Sequence, residues 1–170
     1  MDFTIRPADP SDVAGILAAD LAAGRTSSAD AERFAAGISA AVADPARLVV
    51  VAEAHDDANA EGGSGVVGWA KTHFWDYPDG LALAGHYLGG VTVRPDFRRR
   101  GLAAELTAVR LGWIWEQAEE AWYVVNARNE ASLALHRKWG FREVARGGGF
   151  HTVTFDGGEG VLLMAARPRD

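Results

Sequence analysis

Val91-Thr92-Val93-Arg94-Pro95-Asp96-Phe97-Arg98-Arg99-Arg100-Gly101-Leu102-Ala103 is an apolar β-branched run, a proline turn, a basic loop with one glycine, and the start of a long amphipathic pattern. Strand, loop and helix N-terminus in that order form an anion site from backbone alone. The first N–H groups of a helix have no intrahelical acceptor, and the macrodipole places partial positive charge there. Gly101 removes a Cβ where a phosphate would need close approach. Arg98, Arg99 and Arg100 add charge and bidentate donors. The loop by itself also fits a solvated basic turn that caps a helix. The strand before it and the helix after it favour phosphate binding.

The pattern extends outward in both directions from this loop. Residues 101–118 form the best helix in the chain, with Leu102, Leu106, Val109 and Trp113 on one face. Residues 81–93 carry the central strand, and Gly89-Gly90 inside it marks a bulge or a close backbone approach. Upstream, residues 3–6 read as a strand. Asp9-Pro10 caps a helix with the stripe Val13, Ile16, Leu17 and Leu21, and residues 29–43 form a second helix. Residues 47–55 and 66–74 read as strands joined by a polar, glycine-rich connection at 56–65. Downstream come a strand at 122–125 and a helix at 132–139 ended by Gly140. Two further strands, 141–155 and 160–166, flank the turn residues 156–159. The expected fold is mixed α/β in the order β-α-α-β-β-β-α-β-α-β-β. No linker divides it, so residues 1–170 are expected to form one domain.

Composition narrows the chemistry. The chain has 170 residues, enough for a sizeable core, and 48% of them are hydrophobic. Its net charge of −6 opposes non-specific nucleic-acid binding, so a phosphate site must be locally basic. With no cysteine, disulfides, thiolate metal sites and cysteine nucleophiles are excluded. No apolar run is long enough to span a membrane, and the N-terminus has no secretory pattern, so a cytoplasmic location without a membrane partner is expected. No Walker A sequence, HExxH or GxSxG elbow is present. Gly63-Ser64-Gly65-Val66-Val67-Gly68 fits the dinucleotide spacing, but it runs into a strand instead of opening a helix, and it reads as a hairpin loop.

A second motif lies downstream. In residues 126–141, Asn129, Ser132, Leu135, Lys138, Gly140 and Phe141 fall in register with the pattern Asn-x-x-Ala/Ser-x-x-Leu-Tyr-x-Lys-x-Gly-Phe. The basic loop fits Arg/Gln-x-x-Gly-x-Gly/Ala. In order and spacing, the two motifs resemble those of the GNAT superfamily of acetyl-CoA-dependent N-acetyltransferases. The resemblance covers most of the chain and is weaker outside residues 91–141. It implies a mostly antiparallel central sheet flanked by helices. It also implies that acetyl-CoA is the co-substrate, held by Val91, Thr92, Val93, Arg98, Arg99, Arg100, Gly101, Leu102, Ala103, Asn126, Asn129 and Ser132.

His136 stands where the family usually has tyrosine. The resemblance gives that position the protonation of the leaving thiolate, and an imidazole can perform it. A histidine that only packs near the cofactor fits equally well. Asn126 and Asn129 likewise suit turn and N-cap duty as well as contacts to the pantetheine arm. His73, Trp75, Asp76 and Tyr77 are candidates for an acceptor pocket. Residues 85–93 hold no Asp or Glu, although some family members place a carboxylate base there. A base would have to come from His73, Asp76, Glu53 or His86, or through water. No metal is expected. The implied reaction is acetyl transfer to a primary amine, of a small molecule or a protein N-terminus, by direct attack in a ternary complex. The alternative is an acyl-CoA-binding sensor without catalysis, and a domain for some other phosphate ligand is a third reading. A monomer or homodimer suits any of these.

Overall fold

A computed structural model describes residues 2–55 and 65–170. The expected connection at 56–65 and the Gly63-Ser64 half of the glycine motif therefore lie outside the described residues, apart from Gly65. The elements are β1 (Phe3–Pro7), α1 (Val13–Ala22), α2 (Ala31–Ala43), β2 (Val49–Ala54), β3 (Val66–Trp75), β4 (Gly85–Val93), α3 (Leu102–Trp115), β5 (Glu120–Asn126) and α4 (Glu130–Arg137). They are followed by β6 (Arg142–Gly147), β7 (Gly149–Phe150), β8 (Val153–Thr154) and β9 (Gly160–Ala166). The main sheet has seven strands in the order β1-β2-β3-β4-β5-β9-β6, and β7 pairs with β8 separately. This is the expected mixed α/β order with one small hairpin added. Among the described residues, no helix is long and apolar enough to cross a membrane.

The expected strand at 141–155 is interrupted. Gly147-Gly148-Gly149 offers no side chains to pack and loses the most backbone entropy on ordering, so β6 stops and the β7–β8 hairpin begins. The expected strand at 81–93 starts only at Gly85, because Asp79 and Ala82 close a turn ahead of it.

The chain packs as two compact units. The first comprises Met1–Thr72 and Gly90–Arg110. Here β1 and β2 are antiparallel, as are β2 and β3. Opposite Val67 the ladder steps from Ala52↔Gly68 to Glu53↔Val66, so Val67 is the extra residue of a bulge. Strand alternation sends Val49, Val51 and Trp69 toward Ile16 of α1 and Ile38 of α2. Val50, Ala52 and Ala70 meet Phe97, Leu102 and Leu106 on the opposite face. Each fully buried Leu or Ile contributes roughly 1.5–3 kcal/mol.

In α1 and α3 most of the expected stripe is buried, with Ile16, Leu102 and Leu106 almost fully so, but each helix turns one expected residue outward. Leu21 and Val109 are exposed, the latter by 39%. Asp20 and Arg110 are buried in the stripe, Arg110 with no exposed surface. Arg110 is accommodated because its guanidinium donates to the carbonyls of Leu106 and Lys71 and to Thr107 Oγ1. Buried charge of this kind is tolerated only where its donors are satisfied.

The second unit comprises His73–Gly89 and Leu111–Asp170. β4 and β5 run parallel at Tyr87↔Trp122 and Leu88↔Tyr123. β9 is antiparallel to both β5 and β6. Leu88, Leu111, Ile114, Val125, Leu133, Phe141 and Leu163 form its core, and Tyr87, Trp122, Phe150 and Leu162 form a second cluster. Leu88 packs beside Leu111 and Ile114 of α3, whereas Val91 and Val93 pack against the cluster holding Leu102 and Leu106 of the same helix.

Candidate active site

The loop after β4 is built from its own backbone. The Arg94 N–H donates to the Val67 carbonyl at 2.8 Å and ends the strand. Pro95–Phe97 form a single 3-10 turn, and buried Phe97 pins it to the core. Arg98 folds back to donate through Nε to the Val93 carbonyl at 3.2 Å. Arg100 donates to the Asp96 carbonyl at 3.4 Å and lies 5.3 Å from the Phe97 ring centroid. Arg99 makes no side-chain hydrogen bond or ion pair among the described residues, and its backbone is left-handed at φ 61°. Gly101 follows at φ 79°, where a Cβ would meet no atom within 4 Å. The glycine is thus demanded first by the backbone turn. The first bond along α3 runs from the Glu105 N–H to the Gly101 carbonyl at 3.1 Å. The amides of Leu102, Ala103 and Ala104 precede it without a helical acceptor.

In the first unit the structure also contributes a carboxylate that sequence reasoning missed. Asp20 of α1 is 3% exposed. Its Oδ1 accepts from Thr92 Oγ1 of β4 at 2.9 Å and from Trp69 Nε1 at 3.1 Å, and its Oδ2 accepts from Thr26 Oγ1 at 2.5 Å. The expected stripe of α1 had no place for it, although its position four residues after Ile16 puts it on the same helical face.

The second motif lies in the second unit. Asn129 caps α4 by accepting the Ser132 N–H at 3.1 Å. Asn126 accepts the Arg128 N–H at 3.0 Å and donates to the Asp156 carbonyl at 2.7 Å. Both asparagines therefore carry the turn and cap roles foreseen for them. Ser132 Oγ lies 2.7 Å from Tyr123 Oη. His136 is 3% exposed, and its ring stacks on Tyr123 at 3.9 Å between centroids, tilted 13°. Its Nδ1 is 2.7 Å from the Ser132 carbonyl oxygen. A carbonyl only accepts, so Nδ1 carries the proton and a neutral ring presents its lone pair at Nε2. Gly140, at φ 84°, closes the helix, and the Phe141 N–H reaches back to the His136 carbonyl at 3.2 Å.

Of the acceptor candidates, His73, Trp75 and Tyr77 join an aromatic cluster. His73 is 4.3 Å and Tyr77 5.7 Å from Trp75, and His151 stacks on Trp75 at 4.5 Å. Asp76 is exposed in the turn that follows β3. Of the candidate bases, Glu53 is otherwise engaged. Glu53 takes two hydrogen bonds from Arg6, which also forks onto Asp12 at 2.8 and 2.9 Å. His86 is buried between Phe74 and Trp113, and burial holds its imidazole below the ordinary histidine range. Among the described residues, no three His, Asp or Glu side chains converge as a metal site.

Comparison with known proteins agrees with this architecture. Structures that share the fold include NAA60 of Arabidopsis thaliana in complex with acetyl-CoA, with TM-score 0.72, 18% identity and coverage of 97% of this chain and 98% of that one. An N-acetyltransferase of Staphylococcus aureus Mu50 superposes with TM-score 0.71 at 19% identity, covering 98% and 99%. A phosphinothricin acetyltransferase of Sinorhizobium meliloti in complex with acetyl-CoA gives TM-score 0.68 at 17% identity, covering 98% and 89%. The fold is that of the GNAT acetyltransferases. Residues 79–147 match the family described as FR47-like protein. No curated protein matches it in sequence.

Proposed function

We propose that this protein is an acetyl-CoA-dependent N-acetyltransferase that acts on a primary amine by direct attack within a ternary complex. The observation that carries the reading is the loop between β4 and α3. It combines a left-handed Gly101, three helix amides without a helical acceptor and an Arg99 whose side chain is unengaged among the described residues, in a chain otherwise acidic. The amides of residues 102–104 and Arg99 hold the pyrophosphate, and the backbone of Val91–Val93 lies along the pantetheine arm. Asn126, Asn129 and Ser132 fix the turn and helix end that carry His136. When bound, acetyl-CoA supplies an activated acetyl thioester. No cysteine is available to relay the acetyl group.

The proton chemistry follows from His136. With Nδ1–H committed to the Ser132 carbonyl, a neutral ring can only accept a proton at Nε2, and it donates one there only as imidazolium. His136 therefore assists thiolate departure in its doubly protonated form. The experiment is a panel of amines with free-thiol readout. Thiol release that depends on one acceptor class establishes the enzyme. Tight acetyl-CoA binding without release on any amine leaves an acyl-CoA-binding module.

A further inference from the structure

A cavity of about 470 Å³ opens in the first unit beside the chain from α1 into α2. Its charged lining is Arg25, Arg33, Arg47 and Lys71 against the single carboxylate of Asp30. Asp30 is already engaged, by Arg33 at 2.6 Å and Ser27 Oγ at 3.0 Å. Arg47 reaches only the Thr72 carbonyl, at 3.5 Å, and Lys71 Nζ lies 5.9 Å from the Trp69 ring centroid. Among the described residues, no carboxylate comes within ion-pair distance of Arg25, Arg47 or Lys71. Burial, and then the neighbouring Arg47, push the Lys71 ammonium below the ordinary lysine range, against a smaller opposing pull from the Asp20 carboxylate. Two cations held together in a partly dry recess disfavour each other, and an anion entering the recess relieves both.

The recess is wired to the central strand. Thr26 lines it and donates to Asp20, which accepts the Thr92 hydroxyl of β4. Its volume lies within the roughly 300–1,000 Å³ typical of small-molecule sites. We propose that this pocket holds the carboxylate of a small amino-acid-like acceptor, with Arg47 and Lys71 as its anion contacts and Arg33 at its rim. That the bound molecule is the acceptor rests on the acetyltransferase reading, whereas the anion site itself does not.

The test is calorimetric titration of the full-length protein with free L-amino acids and with their α-carboxamides, which keep the amine and lose the negative charge. At least one free amino acid should bind at least tenfold more tightly than its carboxamide. That preference should vanish in Arg47→Gln and Lys71→Met, and it should shrink in Arg33→Gln, a change at a side chain 84% exposed that leaves the fold intact. Equal binding of acid and amide, no binding of any acid at millimolar concentration, or a preference that survives in Arg33→Gln and in whichever of the other two variants folds would overturn the proposal. The same samples are titrated with acetyl-CoA. An intact acid preference without acetyl transfer refutes the enzyme reading alone.

Discussion

The Asp20 carboxylate accepts the Thr92 hydroxyl at 2.9 Å across 72 positions of sequence, tying α1 to the central strand. Removing the acceptor in Asp20→Ala strands Thr92, Trp69 Nε1 and Thr26 together. The expected loss of stability is about 2–4 kcal/mol by urea denaturation. Thr92→Val should cost less, about 1 kcal/mol, because Asp20 keeps two donors. A double-mutant cycle of Asp20→Asn with Thr92→Val should return a coupling of about 0.5 kcal/mol or more. Additive losses would show that the contact contributes nothing.

The left-handed backbone of Gly101 calls for glycine, the proposed phosphate cradle would be a second reason, and substitutions tell the two apart. Its left-handed backbone costs a side-chain-bearing residue about 1–2 kcal/mol, least for asparagine. Gly101→Val should weaken acetyl-CoA binding by about 1–3 kcal/mol, and by more than Arg94→Ala. If backbone conformation is the whole reason, Gly101→Asn binds like the parent. If phosphate approach matters as well, both variants are weakened. Parent-like affinity in Gly101→Val rules out the phosphate cradle.

Acetyl-CoA binding should weaken as salt is added, and Arg99 should carry most of the slope. Arg98 and Arg100 are folded onto the loop's own carbonyls, whereas Arg99 is unengaged among the described residues. Arg99→Gly is the informative variant, because it also relieves a non-glycine left-handed conformation. Its folding stability should hold or rise while its salt slope falls. An unchanged slope would mean that Arg99 faces away from the ligand.

His136→Phe should lower kcat while leaving the dissociation constant of acetyl-CoA nearly intact. Loss of a general acid typically costs about 10²–10⁴-fold, and CoA thiolate leaves readily enough to favour the low end. His136→Tyr should retain much more activity. Because only the imidazolium donates from Nε2, the parent rate should fall as pH rises through the ring's titration, and this limb should be absent in the Phe variant. Equal turnover of Phe and parent on the best acceptor would leave His136 a packing residue.

Acid should act through Asp12. The bidentate Arg6 guanidinium holds its carboxyl below the usual carboxylate range. The native state then binds fewer protons than the unfolded chain around and below pH ~4. The contribution is fully present above that range and is lost as pH falls through it. Asp12→Asn should remove about 1–2 kcal/mol at neutral pH and flatten the acid limb of stability. An acid limb identical to the parent's would assign it to other carboxylates.

Local signals determined most of the fold. The β-branched run before Pro95, the glycine at 101 and the stripe of residues 102 and 106 each describe a stretch whose conformation depends on near neighbours, so strand, loop and helix were legible in order. So were both motifs, including the cap at Asn129 and the stop at Gly140. Where a polar side chain enters the core, local signals failed. Leu21 and Val109 count as stripe residues by hydropathy, while Asp20 and Arg110 are buried in their stead. Hydropathy cannot register that choice, because its cost is offset by partners at Thr26, Trp69 and Thr92 for one and at Leu106, Lys71 and Thr107 for the other. Those partners stand 3 to 72 positions away. The gathering of Arg25, Arg33, Arg47 and Lys71 into one recess is of the same kind. Each is an ordinary surface cation along the chain, and only tertiary packing brings them together around one recess.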